Sequence, residues 1–183
     1  MSAFRSTRTI LAHPDAMMNR KPGVRIDRIV LHVMEGTQSG TIDWFRKGRD
    51  VRAVPTAAHY LISRMGDVCQ MVPDHLKCYH ANSFNSRSLG IEHEGWTDGL
   101  WRVGKKPWAI LDSIFPTEML AASAEIVRIL CVKFDIPMNR HHIIGHYEVP
   151  GATHTDPGPL WSWSDYMALV TDGGAVAPGA VAR

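Results

Sequence analysis

Apolar and polar positions alternate along this chain in two rhythms, one short and one helical. Between Val24 and Met34 the residues Ile26, Ile29, Val30, Leu31 and Val33 form a nearly continuous β-branched run, the pattern of a strand buried on both faces. The stretch Glu35-Gly36-Thr37-Gln38-Ser39-Gly40 breaks it, and Ile42, Trp44 and Phe45 then predict a short helix. Val54-Pro55-Thr56 is expected to return the chain to the sheet. His59 to Ile62 and Val68 to Val72 read as short strands joined at Arg64-Met65-Gly66-Asp67, where glycine supplies the positive φ of a tight hairpin. Leu89-Gly90-Ile91-Glu92-His93-Glu94-Gly95 is a further strand, with Ile91 and His93 on one face and Glu92 and Glu94 on the other. The helical rhythm is clearest after Pro116-Thr117-Glu118, where Thr117 can cap. Leu120, Ala124, Val127, Leu130, Cys131 and Phe134 follow at three- and four-residue intervals. A last short helix runs from about Trp161 to Val170. The order of elements predicts an α/β domain with a central sheet flanked by helices.

Composition narrows this to one catalytic-sized domain. The chain has 183 residues, 45% of them apolar, which is enough for a single ordinary core. Residues 1–22 are polar and proline-interrupted and read as an N-terminal arm. Residues 23–170 hold the predicted core, and residues 171–183 have the small-residue, Gly/Ala/Pro composition of a flexible linker, to which a wall-binding module absent from this sequence could attach. A net charge of +2, with no run of Lys or Arg, argues against nucleic acid as a partner. No stretch of about 18 apolar residues predicts a membrane span. The start, Met1-Ser2-Ala3-Phe4-Arg5, does not lead into an apolar signal core, so synthesis in a cytosol is expected. Three cysteines, Cys69, Cys78 and Cys131, suit buried thiols better than a disulfide framework, although Cys69 and Cys78 could clip the hairpin in an oxidising medium.

The chemistry concentrates in the tract from Gly145 to Gly158, which carries His146, His154 and Asp156 among enough Gly and Pro to preclude a long helix or strand. Such a loop suits a metal. His32, at the end of the first buried strand, offers a rigid distant partner, and two His with one Asp make a three-ligand zinc set with a position left open for water. Each of these has a plainer reading as a core or surface residue. His141 and His142 compete with His146, and Glu92 and Glu94 are two carboxylates on one strand face. Trp96, Trp101 and Trp108 lie in a long connection where exposed rings could stack on sugars or simply fill core.

Taken together, His32, then Ala58-His59-Tyr60-Leu61-Ile62 with Gly66-Asp67, then Tyr79-His80-Ala81-Asn82, then Leu89-Gly90-Ile91-Glu92, then Gly145-His146 with Thr155-Asp156-Pro157-Gly158-Pro159, resemble the zinc-dependent type-2 N-acetylmuramoyl-L-alanine amidases. That family shares its fold with the peptidoglycan-recognition proteins and the amidase-type phage lysins, and the matches run from about residue 26 to 170. The resemblance implies a mixed sheet, Zn2+ held by His32, His146 and Asp156, and Glu92 as general base or proton shuttle. It places His59 and His80 along the substrate groove, and Asn82 and Trp96 are expected as further substrate contacts. His154 stands where related intracellular amidases commonly carry Lys; an imidazolium there can stabilise an oxyanion, with activity expected to fall on the alkaline side as it loses its proton.

The resulting expectation is hydrolysis of the amide joining N-acetylmuramic acid to L-alanine in peptidoglycan or muropeptides. A phage lysin made in the cytoplasm and acting at the bacterial wall after release fits best, with a cytosolic recycling amidase as its nearest variant. Two other readings are a non-catalytic peptidoglycan-binding module of the same fold, and a zinc peptidase cutting crosslinks on another scaffold. The second is weakened by the absence of a His-Glu-x-x-His helix.

Overall fold

A computed structural model describes residues 6–98, 100–103, 106–110 and 115–173, with the side chains of 100–103 and 106–110 excluded. Residues 174–183 of the linker-like tail, the first five residues of the arm, and the side chains of Trp101 and Trp108 therefore lie outside the described residues. Ten strands are described: β1 (Ser6–Thr9), β2 (Met17–Asn19), β3 (Arg28–Val33), β4 (Tyr60–Ile62), β5 (Asp67–Gln70), β6 (Leu76–Cys78), β7 (Ser88–His93), β8 (Leu100–Val103), β9 (Lys106–Ile110) and β10 (Ile143–Gly145). The α-helices are α1 (Gln38–Phe45), α2 (Thr117–Phe134) and α3 (Trp163–Thr171).

Six strands form the central sheet in the order β1-β5-β4-β7-β3-β10. The β4–β5 pair is antiparallel, and every other neighbouring pair is parallel. The sheet is thus mixed, as the resemblance implied. Its hairpin turns at Gly66, whose φ of +80° few other residues adopt.

Strand β3 shows how one apolar run serves two layers. Ile29, Leu31 and Val33 belong to the main core with Met119, Val127 and Leu130 of α2 and Tyr166 of α3. Val30 and His32 face the other way, by the two-residue period of a strand. β7 repeats the pattern: Leu89 and Ile91 enter the main core, while Gly90 and Glu92 fall on the opposite face. α1 covers that opposite face through Ile42 and Phe45, packed with Ala58, Leu61 and Cys69. Two helices therefore back the sheet, and the third shares its front with the polar groups.

Several sequence expectations shift in detail. The first strand starts at Arg28 rather than Val24, since the Asp27 and Arg28 amides both turn to the Arg87 carbonyl. Val54-Pro55-Thr56 is not a strand; Val54 is exposed, and the chain enters the sheet only at Tyr60. Thr117 is the first helical residue of α2 and not its cap, because Pro116 holds the cap position without a side-chain bond. The buried stripe of α2 centres on Met119, Ser123, Ile126 and Leu130, which leaves Leu120 and Phe134 at its margins. Residues 6–19, within the predicted arm, hold two paired strands around a 3₁₀ turn (Pro14–Ala16): β1 lies parallel to β5 at the sheet edge, and β2 lies antiparallel to β6. Cys69, Cys78 and Cys131 are buried free thiols.

Two buried imidazoles tie the layers together. His93 donates from Nδ1 to the His32 carbonyl at 2.8 Å, and its Nε2 lies 2.7 Å from Ser123 Oγ, itself 2.7 Å from the Tyr166 hydroxyl. His59 accepts from the Gly90 amide at 3.0 Å and donates to the Leu76 carbonyl at 3.1 Å. Burial pushes both imidazoles down to about 4. Each must charge when the chain unfolds in acid, so the stability held by keeping them neutral is complete above about pH 6.5 and is lost as the pH falls toward 4. Between pH 7 and 5 each is expected to remove about 2 kcal/mol from the unfolding free energy. Urea titrations at the two pH values check this: the wild-type midpoint falls and the pH slope is shallower in His59→Gln, whereas a midpoint unmoved between pH 7 and 5 refutes it.

Candidate metal centre

Three adjacent parallel strands deliver the polar groups to one end of the sheet. His32 lies next to last in β3, Glu92 next to last in β7, and His146 directly follows β10. The carboxyl ends of parallel strands are where open α/β sheets form their binding crevices, and His32 and Glu92 are register partners there. Past His146, a 3₁₀ turn (His146–Glu148) and a loop return Asp156 to the same point, fastened by the Tyr147 amide to the Asp156 carbonyl. Exposed Asn82 and Ser83 brace the loop from outside, donating to the carbonyls of Gly151 and Pro150.

His32, His146 and Asp156 converge. His32 Nδ1 lies 2.9 Å from Asp156 Oδ2, and His146 Nδ1 lies 3.0 Å from Asp156 Oδ1. The three side chains are buried, and their donor atoms lie within 4.8 Å of one another. Burial holds the His32 imidazole below its ordinary value, although Asp156 opposes this, so its neutral form is favoured. Burial alone would raise the Asp156 carboxyl, but its contacts with His146 and His32 outweigh it and hold the group well below the usual carboxylate range. A neutral imidazole beside an ionised carboxylate is the state in which such groups bind a metal. Two imidazole nitrogens and a carboxylate also form the donor set of catalytic zinc sites. Of the four buried side-chain polar atoms without a hydrogen-bond partner among the described residues, two, Glu92 Oε2 and His146 Nε2, lie here, leaving polar capacity for a guest.

A cavity of about 490 Å³ opens over this cluster, bordered by His80, Glu92, His154, Tyr79, Thr97 and Phe45. A second hollow of about 500 Å³ adjoins it, shares Met34, Glu35, Phe45 and Glu92 with it, and ends at Trp44 and Trp96. Burial, reinforced by the Asp156 and Glu35 carboxylates, pushes the Glu92 carboxyl up to about 8. That suits a group that must both take and release a proton near neutral pH. His154 is exposed at the cavity rim, its ring stacked on that of His146 with centroids 5.4 Å apart and planes 14° apart.

Glu94 is not at the cavity; its carboxylate accepts from the amides of Gln38 and Arg64 and anchors the start of α1. His141 and His142 sit in a turn fastened to Asn139, away from the cluster. His59 departs from its expected place in the groove, being fully buried with both ring nitrogens bonded to backbone. Asn82 departs from it too, since its amide is spent on the loop. His80 does border the cavity, and Trp96 lines only the adjoining hollow. Two features escaped the sequence reading. Glu35, at a φ of +50°, fixes Thr97 at the cavity edge through both its amide and its hydroxyl. His80 also bonds directly to His32. A Glu-Gly pair after a strand carries no spacing signal for the first, and the second depends on sheet register.

Comparison with known proteins shows the family and the fold. A family model described as N-acetylmuramoyl-L-alanine amidase matches residues 22–159. The N-acetylmuramoyl-L-alanine amidase A of Achromobacter lyticus is 27% identical over 166 residues, covering 80% of this chain and 84% of its own length. The 1,6-anhydro-N-acetylmuramyl-L-alanine amidase AmpD of Citrobacter freundii is 32% identical over 123 residues, covering 63% of this chain and 57% of that protein. Among solved structures, a selenomethionine derivative of AmpD superposes with a TM-score of 0.70 at 24% identity, over 92% of this chain and 96% of that one, a likeness of fold.

Proposed function

The chain belongs to the N-acetylmuramoyl-L-alanine amidase family, and from that premise we propose that it hydrolyses its amide substrate with a zinc ion held by His32, His146 and Asp156. The reaction is cleavage of the bond between N-acetylmuramic acid and L-alanine in peptidoglycan. The observation that carries the metal assignment is the convergence of two imidazoles on both oxygens of one buried carboxylate.

When bound, zinc supplies Lewis acidity that acidifies water and polarises a carbonyl oxygen. The chain's own residues do the rest. Glu92 faces the cavity with an unbonded Oε2 and takes the proton of the attacking water. As the carbon–nitrogen bond breaks, it returns that proton to the departing L-alanine nitrogen. His154 at the rim donates a hydrogen bond to the oxygen on which negative charge develops. The two hollows, continuous through Glu35 and Glu92, suit a glycan strand with its stem peptide rather than one small fragment, which supports the lysin reading, with Trp96 as a contact at the far end.

Incubation with purified cell wall tests this. The expected result is new L-alanine amino termini with no new reducing sugar, stoichiometric zinc in the protein, and loss of product after chelation. A different terminal residue indicates a peptidase, and metal-free protein at full activity refutes the zinc assignment. Faster release from intact wall than from soluble muropeptides supports the lysin, and the reverse order supports a recycling role.

A further inference from the structure

A line of side chains runs from His32 through His80 at the cavity border and ends at a backbone carbonyl. His32 Nε2 lies 3.1 Å from His80 Nδ1, His80 Nε2 lies 3.2 Å from Ser88 Oγ, and Ser88 Oγ lies 2.7 Å from the Phe84 carbonyl. The last link sets the direction of all the others. A carbonyl only accepts, so the Ser88 hydroxyl donates to Phe84, and its oxygen is left to accept from His80 Nε2–H. A neutral imidazole has one donor and one acceptor, so His80 Nδ1 accepts, and His32 must donate to it from Nε2. His32 Nδ1 is then bare, with its lone pair facing Asp156 at 2.9 Å. A lone pair set against a carboxylate oxygen repels unless a cation, a proton or a metal ion, lies between them.

The surroundings keep His80 in this role. Its backbone amide and that of Ala81 both bond to Asn85 Oδ1, which fixes the turn that carries the ring. The ring lies flat against β7 at Gly90, where an added Cβ would come within 2.6 Å of Nδ1 and 2.9 Å of Cγ. Gly90 has ordinary backbone angles, so its glycine is required by the imidazole and not by the turn of the chain. Ser88 is wholly buried and has no freedom to point elsewhere.

We propose that His80, oriented by Ser88 and the Phe84 carbonyl, is a positioning residue that locks His32 in the tautomer presenting Nδ1 to the metal. The proposal rests on the zinc reading above, but its first measurement does not. With nitrogen-15 histidine in the full chain, ring-nitrogen spectra should show His32 protonated on Nε2 both with and without zinc; His32 bare on Nε2 overturns the proposal whatever metal the protein binds. In chelator competition, His80→Leu should weaken zinc binding about ten- to a hundredfold, and His80→Asn, whose Oδ1 reaches the acceptor position, should stay within about threefold of wild type. Equal weakening in Leu and Asn variants, or none in either, also overturns it. Should His80→Leu fail to fold, Ser88→Ala read by the same spectra decides: the relay predicts a mixture of His32 tautomers, and an unchanged spectrum refutes it. Failure of the wild-type chain to take up zinc while His32 shows the expected tautomer would instead sink the proposed function.

Discussion

Asp156→Asn is expected to leave the fold intact and remove both zinc and activity. Asp156 is the one group that touches both imidazoles, through a different oxygen for each. Asparagine keeps the shape and loses the charge. It also turns one of the two contacts from an acceptor into a donor, so it can no longer satisfy His32 and His146 in the same way. With the metal's Lewis acidity gone, several kcal/mol of transition-state stabilisation disappear, and the turnover rate should fall by more than about a thousandfold. Zinc content by atomic absorption and far-UV circular dichroism on the same sample check the claim. The variant should read as folded and zinc-poor, and added zinc should restore chelated wild type but not the variant. An Asp156→Asn protein with stoichiometric zinc at micromolar free metal would refute the ligand assignment.

Glu92→Gln is expected to show the opposite pairing, with zinc retained and catalysis lost. Glu92 lies beside His32 in register but does not touch the His32–Asp156–His146 cluster. Glutamine fills the same space without accepting a proton, and the loss of a positioned general base costs about a hundred- to ten-thousandfold. The fall should appear in kcat, because the side chain acts on the attacking water and the leaving nitrogen. Because the wild-type carboxylate must be ionised to act, wild-type activity falls as the pH drops through its titration, and a nearby dication moves that limb below 8. The residual activity of Glu92→Gln should lack this limb. Wild-type kcat in the zinc-loaded variant would move the proton-transfer role elsewhere.

How much of this was legible in the sequence depends on the distance over which each signal acts. β3, α1, β7, α2 and α3 announce themselves by local periodicity, and all five are present. The edges were less readable. β1 is polar and β2 only three residues long, and both become strands only through pairing with β5 and β6, a long-range effect that no local pattern carries. The three proposed ligands stood out because residue type and loop composition pointed to metal chemistry, and the structure brings them together. Two of the expected groove residues lie off the cavity for a physical reason. His59 looks like a groove residue by type, but β4 and β7 bury it under Gly90, with Arg20 alongside at 3.2 Å. Asn82 faces outward because its φ of +45° turns the chain toward Gly151. The His80–His32 bond was unreadable since it joins residues 48 positions apart through sheet register.

His32 and Asp156 are separated by 124 positions, and each comes from a different segment of the fold. A chain lacking either segment cannot assemble that pair, so the proposed ion would bind only the completed tertiary structure and not its fragments. Mass action then makes the cation a thermodynamic clasp: at a hundredfold excess over its dissociation constant it adds about 2.7 kcal/mol to the native state alone. The Asp156→Asn chain keeps every core residue and forfeits this contribution entirely.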